Sequence, residues 1–185
     1  MKVILLKLSL VISFMIATTG AFADQYNREL FKAVRSANGA EVEKILQQGA
    51  DINQRDYKGT TALMRAASFG HSDIVKQLLQ HGAAINLVDN EGDSALKHGA
   101  WSDKVEIIDM LVEKGAKLEQ KNNLGTTPLW SAVITGRVNM VKRLIAHGAD
   151  LNVPNQYGMS AIRFAKSRDE WELVKLLRDK NGKDF

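Results

Sequence analysis

Four near-copies of one short phrase stand at a constant interval in this chain: Gly49-Ala50-Asp51-Ile52-Asn53, Gly82-Ala83-Ala84-Ile85-Asn86, Gly115-Ala116-Lys117-Leu118-Glu119 and Gly148-Ala149-Asp150-Leu151-Asn152. The interval is 33 residues. A unit of that length is too small to cover its own apolar face, so each copy must stack on the next and the chain is expected to form a solenoid.

The same period aligns the rest of the chain. Gly59-Thr60-Thr61-Ala62-Leu63 falls on Gly92-Asp93-Ser94-Ala95-Leu96, Gly125-Thr126-Thr127-Pro128-Leu129 and Gly158-Met159-Ser160-Ala161-Ile162. Thr61, Ser94, Thr127 and Ser160 precede apolar runs, where a hydroxyl can accept a free backbone N–H, and they are predicted to cap a first helix in each unit. Small residues such as Ala66-Ala67 and Ala132-Val133 let these helices approach closely. A second helix is predicted from paired apolar residues at helical spacing: Ile74, Val75, Leu78 and Leu79; Ile107, Ile108, Leu111 and Val112; Met140, Val141, Leu144 and Ile145. The glycine of each Gly-Ala phrase then ends that helix in a left-handed turn. Loops rich in Asp, Asn and Gly, from Asp56, Asp89, Asn122 and Asn155 onward, are expected to project as tight turns.

The first 23 residues read differently. Lys2 and Lys7 precede an apolar run from Leu8 to Ala17, and Ala21-Phe22-Ala23 offers a small-x-small cleavage site, the pattern of a secretory signal removed after Ala23. The run is shorter than the ~20 apolar residues of a spanning helix, so no stable membrane insertion is expected after cleavage. The chain holds 25 basic and 21 acidic residues. Losing Lys2 and Lys7 leaves 23 against 21, or +2, too weak a field to attract nucleic acid. There is no cysteine, so disulfides and thiol chemistry are excluded and stability must come from stacked apolar surface. The units are read as a capping repeat at 24–54, central repeats at 55–87, 88–120 and 121–153, and a second capping repeat at 154–185.

The pattern resembles the ankyrin repeat over about residues 25–180. The unit from Asp56 to Asn86 is nearest the family phrase, with Gly59, Thr61, Leu63, Ala66, Ala67, Gly70, His71, Ile74, Val75, Leu78, Leu79, Gly82 and Ala83 in register. The resemblance implies an all-α solenoid of about five helix-turn-helix units joined by hairpin-like loops. The departures from it are specific. The family proline survives only as Pro128, and the family histidine is replaced by Met64, Lys97, Trp130 and Arg163, removing that histidine's usual hydrogen bonds. Gly99 occupies an alanine slot, at a cost of about 1 kcal/mol, and Asp103 occupies a glycine slot between helices. Trp130, in the inward-facing histidine column, is expected in the core.

No constellation of catalytic chemistry stands out. His81 and His147 share a column two repeats apart, too far to hold one ion. His98 reads as a solvated helix residue, and Asp73, Asp103 and Asp109 as scattered surface carboxylates. No catalytic, cofactor or metal residues are assigned, and the chain reads as a non-enzyme. The resemblance implies instead a protein partner docking on hairpin tips and first helices. By column, the candidate contacts are Arg55, Tyr57, Lys58 and Phe69; Asn90, Glu91, Asp93, Trp101 and Ser102; Asn123, Leu124 and Ile134; and Gln156 and Tyr157. Small bacterial periplasmic ankyrin proteins are similar. That likeness implies a monomer, periplasmic or secreted, that restrains an exported enzyme such as a cell-wall hydrolase or toxic effector. A scaffold for an envelope or stress-related enzyme, or an effector acting on host proteins, are the alternatives.

Overall fold

A computed structural model describes residues 25–102 and 104–180; the signal-like segment 1–23 and Asp103 lie outside them. Helix α1 covers residues 25–35 and pairs with α2 (Gly39–Gln47). Four more pairs follow: α3 (Ala62–Phe69) with α4 (Ser72–Gln80), α5 (Ala95–Gly99) with α6 (Val105–Glu113), α7 (Pro128–Ile134) with α8 (Val138–Ala146), and α9 (Ala161–Ser167) with α10 (Trp171–Asp179). From the second pair on, the first helices α3, α5, α7 and α9 pack side by side in one layer, and α2, α4, α6, α8 and α10 form a second layer behind them. The fold is an all-α repeat solenoid.

The predicted caps are present. Thr61, Ser94, Thr127 and Ser160 each accept the amide three residues on, from Met64, Lys97, Trp130 and Arg163, and all four hydroxyl residues are buried. At the other end of the pair the Gly-Ala phrase forms a Schellman cap. Gly82 N–H donates to Leu79 O at 3.2 Å and Ala83 N–H to Leu78 O at 3.0 Å. Gly115-Ala116 and Gly148-Ala149 repeat the arrangement. Gly82 has a φ of 80° with open space around its Cα, so backbone conformation, not crowding, requires the glycine. The alanine that follows is buried against the stack.

The last residue of the phrase ties one unit to the next. Asn53 Oδ1 accepts Ala84 N–H at 2.8 Å, Asn86 Oδ1 accepts Lys117 N–H at 3.0 Å, and Glu119 Oε1 accepts Asp150 N–H at 2.8 Å. Glu119 thus does the work of an asparagine with a longer arm. Desolvation raises its carboxyl above the usual range, and nearby Asp150 adds to the rise, against the pull of the Asp150 amide.

The core is one continuous cluster. Ile74, Val75 and Leu78, their counterparts Ile107, Ile108 and Leu111, then Met140, Val141 and Leu144, and Leu173, Val174 and Leu177, are all buried; Leu79, Val112 and Ile145, the fourth members of the predicted sets, are half-buried. Gly99 has a packing reason. A methyl group there would meet Ile107 Cγ2 at 3.2 Å and Leu111 Cδ1 at 3.5 Å, so the glycine lets α5 press onto α6, which offsets its poor helix propensity.

Candidate protein-binding site

Each tip is built around one acceptor. Asp56, Asp89, Asn122 and Asn155 each accept two amides through Oδ1, from the residues two and four positions on. This turn closes without a β-ladder; a single bridge, Val88 to Ser94, is present among the described residues. Neighbouring tips are stitched by backbone bonds, Asn90 N–H to Lys58 O, Asn123 N–H to Glu91 O and Gln156 N–H to Leu124 O. Asn90 and Asn123 add side-chain donors to Tyr57 O and Asn90 O. Both asparagine side chains named as contacts are therefore engaged within the stack. The approach is close enough that a methyl group on Gly92 would lie 2.9 Å from the Asn123 amide nitrogen.

On this stitched edge the apolar contacts stand out. Tyr57 is 86% exposed, Tyr157 77% and Leu124 54%, while Phe69 and Ile134 on the first helices are 45% and 44% exposed. Trp101 is half-buried, its ring edge-on to His98 at 5.0 Å. With Tyr57, Lys58, Ser68, Glu91 and His98 it lines a groove of about 450 Å³ between the second and third units. Arg55, Lys58, Glu91 and Gln156 are exposed. Trp130 is in the core as expected, donating through Nε1 to Val153 O at 3.1 Å.

Behind the groove lies a charged cluster that corrects several readings. Asp93 and Ser102, named as contacts, are buried. Lys97 Nζ donates to Asp93 Oδ1 at 2.7 Å and to Thr126 Oγ1 at 2.9 Å, with the two ionic side chains 5% and 2% exposed. His98 is not a solvated helix residue. It is buried, with Nε2 2.9 Å from Asp89 Oδ2. The signal was available in the sequence: His98 stands in the column of Arg65, and Arg65 pairs with Asp56 at 2.5 Å just as His98 pairs with Asp89. Burial pushes the Asp56 carboxyl up, but hydrogen bonds from the Arg65 guanidinium and the Thr60 and Lys58 amides hold it below the ordinary range.

Asp89, Asp93 and His98 bring ligand atoms within 4.8 Å of one another, the spacing of a small cation site. Every one of those groups already has a protein partner, however, and the Lys97 ammonium already neutralises Asp93. The cluster reads as an internal charge network holding the third tip to its helix. Two of the other histidines act between units. His147 Nε2 lies 2.6 Å from Asp109 Oδ1, and His81 Nε2 lies 3.3 Å from Glu43 Oε1. Asp109 is accordingly a paired, half-buried carboxylate, not a free surface one. In the family-histidine column of the second unit, Met64 Sδ accepts Thr61 N–H at 3.4 Å, closing the cap that Thr61 opens.

This architecture, with tips and first helices presenting variable side chains on an invariant stack, is that of an interaction module. The family model described as ankyrin repeats in three copies matches residues 30–122 and 116–185. The chain belongs to the ankyrin-repeat family. As a family, ankyrin repeats are protein–protein interaction modules, not enzymes. Among curated relatives, PA3287 of Pseudomonas aeruginosa, named as an ankyrin repeat protein, is 39% identical over 49 residues, covering 26% of this chain and 29% of that protein. Two Rickettsia felis proteins named in the same way are 42% identical over 48 residues, 26% of this chain and 76% and 73% of theirs. The chain thus aligns with less than a third of the Pseudomonas protein's length.

Proposed function

We propose that this protein is exported to the periplasm, where it docks through its tips and first helices on an exported enzyme and restrains it, protecting the cell that makes both. The single observation that carries the docking part is the row of exposed large side chains on one face, Tyr57, Phe69, Leu124, Ile134 and Tyr157. Large aromatic side chains give up little rotamer entropy on burial and dominate interface energetics. The export part rests on the signal-like residues 1–23. The partner class, a cell-wall hydrolase or toxic effector, rests on likeness to small exported ankyrin proteins.

The test is capture from periplasmic extract by the purified protein, followed by the captured enzyme's turnover with and without it. A fall in turnover that disappears with Tyr57→Ala/Phe69→Ala/Leu124→Ala supports the reading. Unchanged turnover on binding would make the protein a scaffold, and cell fractionation that finds it only in the cytoplasm would remove the export step.

A further inference from the structure

The end of the docking face nearest the N-terminus has a chemistry of its own. A groove of about 330 Å³ between the first and second units is lined by Arg28, Phe31 and Arg35 from α1 and by Tyr57, Lys58 and Phe69 from the second unit. Arg65 and Asp56 also border it, but they neutralise each other. Both Asp56 oxygens are engaged, Oδ1 by two amides and Oδ2 by Arg65. Among the described residues no carboxylate pairs with Arg28, Arg35 or Lys58; the Lys58 ammonium instead lies 5.9 Å from the centre of the Tyr57 ring. Arg28, Arg35 and Lys58 are exposed. The second-helix layer differs, carrying exposed acids such as Asp73, Glu106 and Glu172 beside its lysines.

We infer that this groove is the charge-specific subsite of the docking face and takes an acidic segment of the partner protein, with Asp or Glu flanking a large apolar side chain. The inference rests on reading the face as a protein-docking surface and adds to it the chemistry of the occupant. Carboxylates on the segment meet three cations that have no counter-charge among the described residues, and its apolar side chain packs among Phe31, Tyr57 and Phe69. Guanidinium groups suit carboxylates because their donors match both oxygens at once. A nucleic-acid strand fits less well. Its phosphates continue past the groove onto the third tip, where Glu91 is exposed and no row of cations follows.

The probe is a fluorescein-labelled 12-residue peptide with Glu and Asp around a central Leu-Phe, set against the same peptide with Lys in place of each acid. Binding to the purified protein is read by anisotropy at low and high salt. The acidic peptide is expected to bind, to weaken as salt rises, and to bind about tenfold more weakly or worse to Arg28→Gln/Arg35→Gln/Lys58→Gln. The control Lys76→Gln/Lys114→Gln/Lys175→Gln, on the second-helix layer, should bind like wild type. Charge reversal by Arg28→Glu/Arg35→Glu is expected to transfer binding to the basic peptide, an outcome that a misfolded variant cannot produce. Equal binding of both peptides, retention by the groove variant, or tighter binding of a single-stranded oligonucleotide overturns the inference. Docking of a whole enzyme through Tyr57, Leu124 and Tyr157 with no acidic-peptide binding would overturn the subsite and leave the broader function standing.

Discussion

Removing the ammonium of Lys97 should unbalance the middle of the stack. Asp93 is 2% exposed and its carboxylate takes the Lys97 Nζ at 2.7 Å. In Lys97→Met that carboxylate stays buried without a counter-charge, within 4.8 Å of the Asp89 and His98 ligand atoms. Thr126 loses one donor but keeps its own bond to Asn122, so the defect lies chiefly at Asp93. Breaking a buried pair from one side costs about 3–5 kcal/mol, a large share of the roughly 5–15 kcal/mol that holds a domain together. For a chain of this size the melting temperature should drop by ~10 °C. The second unit supplies the repair: Thr60 and Met64 occupy the columns of Asp93 and Lys97, and both are buried there. Asp93→Thr/Lys97→Met grafts that pair into the third unit, and stability should return to within about 1 kcal/mol of wild type. Urea denaturation followed by circular dichroism measures all three proteins. A single variant within 1 kcal/mol of wild type, or a double variant no better than the single, would refute the reasoning.

Three further outcomes are expected. Thr127→Ala removes a buried cap on α7 and should cost about 1 kcal/mol in the same denaturation assay. Gly82→Ala forces a side chain into a φ of 80° and should cost ~1–2 kcal/mol, whereas Gly82→Asn should lose less because asparagine tolerates that conformation. Asp56→Asn keeps the turn, as Asn122 and Asn155 do, but loses the ion pair to Arg65. Folding holds the Asp56 carboxyl below its ordinary 3.8, so its contribution is complete above that value and is lost as pH falls through the folded value. The acid limb of a stability–pH curve should therefore be flatter in Asp56→Asn than in wild type, and an unchanged limb would assign no stabilisation to the pair.

The exposure of several candidate contacts was legible from columns alone. Tyr57, Leu124 and Tyr157 project from turns whose first residue is an Asp or Asn acceptor, and a turn of that kind leaves its second and third positions no core to face. Phe69 and Trp101 stand in adjacent columns and differ in exposure: Trp101 has His98 beside it, while Phe69 borders the open groove of the first units. His98 was misread for a related reason, and Lys97, given no burial in the sequence reading, behaves in the same way. Taken one at a time, a lysine or histidine on a helix belongs in water. Set against Asp93 and Asp89, four and nine positions earlier, each has a partner that makes burial affordable.

The Gly-Ala phrase, the hydroxyl caps and the apolar pairs all act over one helical turn, so their consequences can be worked out from neighbouring residues, and four copies in phase leave little room for another fold. What lies 29 to 38 positions apart is a different matter. Lys97 reaching Thr126, Asn53 holding the Ala84 amide and His147 meeting Asp109 arise because stacking sets each unit against the next, and nothing local dictates which long side chain turns inward. That choice depends on whether the neighbouring unit offers a partner in the place where water is lost.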